Sequence, residues 1–211
     1  MENKELIKRL SRWATVCGIL ALVFYILHDI IGGMNYPGYD RMSQAVSDLT
    51  AVDAPSYQVA SSYSHIYGIF SCLCCTFLCI LVHDLNKTLK WGIYLFALMN
   101  GVSAIGYSLF PLTSGGYDGS FQSFMHVYVV TILVVLLSVV SLILIAIGSF
   151  KSGRKTLGIL AVIAFVAMFF GAIGTSVFPK EVFGVIERFS TYSAVVFTAV
   201  LGIYSSTFNT D

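Results

Sequence analysis

Six stretches of this chain are long and apolar enough to cross a bilayer, and no other feature restricts its fold so strongly. A spanning helix needs about 20 mainly apolar residues, because a rise of 1.5 Å per residue must cover about 30 Å of hydrocarbon. The stretches fall at about 11–33, 61–83, 90–111, 124–149, 155–178 and 184–207. No water reaches the backbone there, so each N–H and C=O must bond within its own segment, as a helix allows. Only 11% of residues are charged, and 57% are hydrophobic. A soluble domain carries about a quarter charged residues. The predicted fold is therefore all-α: an integral membrane six-helix bundle, one transmembrane domain over residues 1–211, with membrane lipid as its main partner. The net charge is +1, with no basic patch beyond the N-terminal segment, which excludes nucleic acid as a partner.

Basic residues orient the bundle. Lys4, Lys8, Arg9, Arg12, Lys87, Lys90, Lys151, Arg154 and Lys155 lie on one side, against Arg41, Lys180 and Arg188 on the other. The positive-inside rule then puts both termini in the cytoplasm of a multi-pass plasma-membrane protein. The basic start followed by an apolar run has the form of a signal peptide. However, the run is long enough to span, contains His28-Asp29 and lacks a small-residue cleavage site, so a retained helix is expected.

The longest polar stretch, GYDRMSQAVSDLTAVDAPSY at 38–57, lies between the first two spans. At helical spacing Met42, Ala45, Val46 and Leu49 share one side, and Ser43, Gln44, Ser47, Asp48 and Thr50 the other. This predicts a short amphipathic helix over about 40–51, with Asp40 as N-cap, lying in the extracytoplasmic interface. Further on there is an internal echo. AIGYSLFP at 104–111 and AIGTSVFP at 172–179 both end a span at proline, which suggests that helices 3–4 and 5–6 are related hairpins.

Ionisable residues cluster by depth. His28 and Asp29 lie near the end of the first span, His28 roughly 7 Å below Gly33. His65, His126 and Glu187 stand at similar depths near the starts of spans 2, 4 and 6. Small and polar stripes predict the protein-facing sides: Thr15, Gly18, Tyr25 and Asp29 on helix 1; His65, Gly68, Cys72, Thr76, Cys79 and His83 on helix 2; Glu187, Ser190, Thr191, Ala194 and Thr198 on helix 6. His126 lies about 100° from the stripe of Thr131, Ser138 and Ser141 on helix 4. Cys17, Cys72, Cys74, Cys75 and Cys79 fall within spans 1 and 2, where packing explains them better than disulfides.

The stretch PGYDRMSQAVSDLTAVDAPS resembles the signature loop of a bacterial polytopic membrane family known as domain of unknown function 998. The matching features are Tyr39-Asp40, Ser47-Asp48-Leu49 and Ala54-Pro55. Phe110-Pro111, Phe178-Pro179, His126 and Glu187-Arg188 are also similar. The resemblance covers nearly the whole chain. It implies a bacterial six-helix membrane protein with no established activity.

Three functional readings stay open. In the first the protein is non-catalytic: a sensor, a stress or immunity factor, or a partner subunit. Here His28-Asp29 and Glu187-Arg188 form buried polar pairs that fix helix packing. The second is an intramembrane hydrolase acting on a lipid, an amphiphile or a small molecule. His28, His65 and His126 would hold Zn²⁺, with Asp29, Asp48 or Glu187 as ligand or general base. Ser43, Ser47 and Asp48 would complete that site, and Tyr39, Asp40 and Arg188 would contact substrate. The third is a small transporter, since ionisable intramembrane residues often line ion paths.

Overall fold

The computed structural model describes residues 2–208. Six long helices account for most of them: α1 (Glu2–Met34), α2 (Tyr57–Leu81), α3 (Lys87–Leu109), α4 (Phe121–Lys151), α5 (Lys155–Val177) and α6 (Phe183–Tyr204). Each is long and apolar enough to cross a membrane. Their ends follow from local chemistry. Asn86 caps α3 by accepting from the Thr88 amide (2.9 Å), and Ser120 caps α4 by accepting from the Ser123 amide (3.1 Å).

Neighbours in sequence are neighbours in space. Each helix packs on the next, and α6 returns to α1, closing a ring. One apolar core fills the half containing Cys74, Leu78, Phe96, Leu142, Ile145, Phe197 and Leu201. A smaller one, built on Tyr25, Val46, Leu49, Ala60 and Val195, lies at the opposite end. We call that the strap end, because residues 35–56 cross it between α1 and α2. At the far end Arg154 donates to the carbonyls of Thr207 (2.8 Å) and Phe208 (3.3 Å), tying the α4–α5 turn to the last described residues.

The two echoing octets do the same job. Each ends its helix with the Phe amide bonded back to a glycine carbonyl, Phe110 to Gly106 (3.0 Å) and Phe178 to Gly174 (2.8 Å). A Cβ added at Gly106 would lie 2.8 Å from Val130, and one at Gly174 2.5 Å from Ile186. In both hairpins the glycine lets the returning helix approach closely.

Two expectations are corrected. The amphipathic helix over about 40–51 shrinks to a turn at 41–43 and a single 3-10 turn, Ser47–Thr50. The cause is competition for backbone groups: the carbonyls of Arg41, Met42, Gln44 and Ala45 accept bonds from α6 and from Tyr39 instead of from i+4 amides. The side-chain pattern survives in part: Ala45, Val46 and Leu49 are buried, while Met42 is exposed. Asp40 does cap the turn, accepting from the Met42 amide (3.0 Å) and the Ser43 hydroxyl (2.6 Å).

The second correction concerns α2. Its buried side carries Gly68, Ser71, Cys74, Cys75 and Leu78, whereas His65, Thr76 and His83 are exposed. Small polar residues proved a poor guide there because Thr76 satisfies its own hydroxyl on the Cys72 carbonyl (2.8 Å) and needs no protein partner. On α1 the predicted stripe is largely buried, and on α6 it is half-buried, with Thr198 fully buried and none of its members exposed.

Candidate functional site

The polar residues of the strap end meet around one arginine. Arg188 lies one turn into α6, where a charged side chain must find a partner or reach water. Its Nε donates to Asp29 Oδ2 (3.1 Å) and its Nη2 to Asp29 Oδ1 (2.8 Å), a bidentate pair with a carboxylate that is 6% exposed. Nη2 also donates to the Tyr39 hydroxyl (2.8 Å). Nη1 reaches the carbonyls of Arg41 (3.0 Å), Gln44 (3.2 Å) and Gly184 (2.8 Å). All five guanidinium N–H groups therefore have acceptors. Asp29 accepts further from the Tyr192 hydroxyl (2.9 Å), and its carbonyl accepts from Arg41 (2.7 Å).

The same contacts hold the strap. Tyr39 passes the network on by donating to the Ala45 carbonyl (2.7 Å). Burial pushes its phenol up to about 12, even beside the Arg188 charge. The Val46 amide donates to Glu187 Oε2 (3.2 Å), and the Val185 amide donates to the Met42 carbonyl (3.2 Å). Gly184 makes the approach possible, because a Cβ there would strike the Gln44 and Arg41 carbonyls. At its exit the strap is tied to the α3–α4 loop. Asp53 accepts from the Ser114 amide and hydroxyl (both 2.6 Å), which hold its carboxyl below the usual range.

The candidate residues separate into groups. Asp29, Arg188, Tyr39 and Glu187 come together. Asp48 is near them and accepts from the Ala45 amide (3.1 Å), and burial raises its carboxyl above the ordinary value. Asp40 and Ser43 bond to each other on the exposed side of the strap, with Asp40 held low by that hydroxyl. Ser47 gives its carbonyl to the Thr50 hydroxyl (3.1 Å).

The three histidines do not converge. His28 is buried, with Nδ1 on the Ala60 carbonyl (3.0 Å); His65 is exposed; His126 has Nδ1 on the Phe110 carbonyl (2.6 Å). A carbonyl only accepts, so in both bonded rings Nδ1 carries the proton. Among the described residues no three His, Cys, Asp or Glu side chains are placed to hold a metal ion.

Nor do the doublets pair as expected. Adjacent residues on a helix do not face each other. Asp29 therefore crosses to Arg188 on α6, while His28 turns to α2. Tyr192, one turn after Arg188 and on the same face, was the missed member.

His126 lies in a π-helical stretch, Met125–Val130. That wider turn changes the register on which the 100° offset relied. It places Thr131 Oγ1 on the His126 carbonyl (2.8 Å), and the Tyr107 hydroxyl donates to that same Oγ1 (3.2 Å). The Tyr107 and His126 rings lie 4.7 Å apart. Beside the Arg188 network, a cavity of about 450 Å³ opens between α5 and α6. Ala164 and Ala167 line it on α5, and Val185, Phe189 and Val196 on α6, with Arg188 and Tyr192 also on its wall.

The family model described as protein of unknown function (DUF998) matches residues 19–204. No curated protein and no solved structure gives a match.

Proposed function

We propose a binding role rather than a hydrolytic one for this chain, which belongs to the family of proteins of unknown function (DUF998). On this reading residues 1–211 form one transmembrane unit in a bacterial plasma membrane. Both termini are cytoplasmic, and the strap faces outward, as the distribution of Lys and Arg favours. The unit works as a sensor or partner subunit whose strap end holds a ligand. The observation that carries this is the clamp: every Arg188 donor is spent on joining α1, α6 and the strap. Of the groups named for hydrolysis, the Ser43 hydroxyl and the Asp29, Asp48 and Glu187 carboxylates are likewise engaged in shaping the strap.

A second reading, recognition of an amphiphile, is favoured by the apolar α5–α6 cavity with a cation on its wall. One experiment separates binding from turnover. The purified protein in lipid nanodiscs is incubated with polar-lipid and small-molecule extracts, and amide exchange over residues 39–49 is followed. A binding role predicts a change in strap exchange with the added compound recovered intact. Consumption of a compound with the strap unaffected would return the hydrolase to first place.

A further inference from the structure

The cavity beside α6 has the form of a groove. Its floor, made by Ala164, Ser193 and Phe197, is buried, and its rim, made by Ile163, Phe189 and Val196, is exposed. At the strap end glycines press α5 and α6 together: a Cβ at Gly171 would strike the Ser190 amide, and one at Gly174 would lie 2.5 Å from Ile186. Towards the far end the small side chains of Ala164 and Ala167 leave space between the two helices. The groove begins there and continues along α6, past Phe189 and Tyr192, to Arg188 and Val185. Both helices are long and apolar enough to cross a membrane, so the open rim faces hydrocarbon.

The dimensions select the occupant. From Val185 to Val200 the groove follows about 22 Å of α6, at 1.5 Å per residue. A volume of about 450 Å³ over that length gives a mean section of about 20 Å². A helix with its side chains is about 10–12 Å across, several times that section, so a helix of a partner or of a second copy cannot enter. One hydrocarbon chain can. Extended, it advances about 1.3 Å per carbon–carbon bond of about 1.5 Å, so about 17 carbons fill the length. Such a chain gains no hydrophobic free energy by leaving the bilayer for the groove. It gains contact, because the floor atoms of an unfilled groove lack partners on one side and a straight chain restores their dispersion attraction.

The two ends of the groove differ. It reaches almost to the start of α6, at Val185, but stops about 6 Å short of Tyr204 at the other end. Arg188 and Tyr192 stand on its wall at the strap end, where a head group would meet the interface. Every Arg188 donor is already spent within the protein, so the tail and not the head carries recognition. We propose that the α5–α6 groove binds one straight alkyl chain of a membrane amphiphile, about 16–18 carbons long, with its head towards the strap. The proposal rests on the amphiphile reading above and names its ligand class. Arg188 and Tyr192 belong both to the groove wall and to the clamp, so an occupied groove acts on the strap.

The test uses the full chain in phosphatidylcholine membranes with spin-labelled stearic acid, the motionally restricted label being read by electron paramagnetic resonance. The expected result is a restricted component that saturates at one label per chain. Stearic acid and stearoyl lysophosphatidylcholine should displace it equally, and octanoic acid about tenfold less well, because a short chain leaves most of the floor uncovered. Ala167→Phe fills the groove and should weaken the saturable component about tenfold. Val196→Trp narrows the exposed rim without entering the packed floor and should act in the same direction. Val140→Trp, on an exposed face of α4, should change nothing. Three results would overturn the proposal: annular lipid only, with no saturable component; a component undiminished in both groove variants; or displacement by only one of the two stearoyl compounds. If no chain is held while the strap still responds to an extract, only the alkyl-chain assignment falls. If a chain is held and strap exchange never changes, the groove stands and the sensor reading falls.

Discussion

Arg188→Ala should open the strap without melting the bundle. The Arg188 side chain is 15% exposed and the Asp29 side chain 6%, so the substitution strands a buried carboxylate. Breaking a buried pair from one side costs about 3–5 kcal/mol. Asp29 would keep the Tyr192 hydroxyl at 2.9 Å and Arg41 at 3.9 Å, which argues for the lower end, about 3 kcal/mol. At 1.4 kcal/mol per factor of ten, that is about a hundredfold rise in the open population. Hydrogen exchange reads it directly, because the Val46 amide bonds to Glu187 and the Val185 amide to Met42 across the interface that opens. Exchange at residues 39–49 and at Val185 should accelerate by that factor, while residues 142–157 in the far core should be unaffected. Arg188→Lys keeps the charge but loses the fork, and should fall between the two. If strap exchange is unchanged, Arg188 is not the clamp. If strap and far core accelerate equally, the two ends unfold as one unit and the reasoning fails.

Other positions divide as sharply. Gly184→Ala should displace the strap and destabilise the protein by about 1–3 kcal/mol by thermal unfolding, the usual cost of overpacking, whereas Gly101→Ala, with open space around it, should cost nothing. His28→Ala removes a buried ring together with its bond to the Ala60 carbonyl and should cost about 1–3 kcal/mol, while His65→Ala should stay within about 0.5 kcal/mol. For Tyr39 the folded phenol is raised from 10.0 to about 12. Its contribution is therefore complete below pH 10 and is lost as pH climbs towards about 12, so strap exchange should show an alkaline step that Tyr39→Phe removes.

How much of this was legible in the sequence depends on which residues are considered. Composition names the solvent, and a lipid solvent forces backbone bonding inward, so six helices and their approximate limits follow from the sequence. Proline after phenylalanine marks two helix ends, and the glycines of those octets mark two close contacts. The strap as a special segment, and Asp29 on α1 and Glu187 on α6 as inward-facing polar groups, were also readable, because ionisable residues are costly in hydrocarbon. Helix faces were readable only where the small-polar stripe coincides with a packed neighbour, as on α1 and α6. On α2 a threonine bonded to its own backbone copies that signal while facing outward.

Partnership was decided by tertiary structure alone. The sequence sets Asp29 beside His28 and Arg188 beside Glu187, but adjacent residues leave a helix in different directions. Only the closing of the ring, α6 against α1, brings Asp29 to Arg188 across 159 residues. The strap shows the same rule for the backbone. Residues 40–51 carry a helical side-chain pattern, yet the carbonyls that would bond within that helix are taken by Arg188, Val185 and Tyr39. In the strap, local pattern largely decides which residues are buried, Ala45, Val46 and Leu49 among them. Which of them bond to each other depends on the helices that pack side by side, and no single segment encodes that.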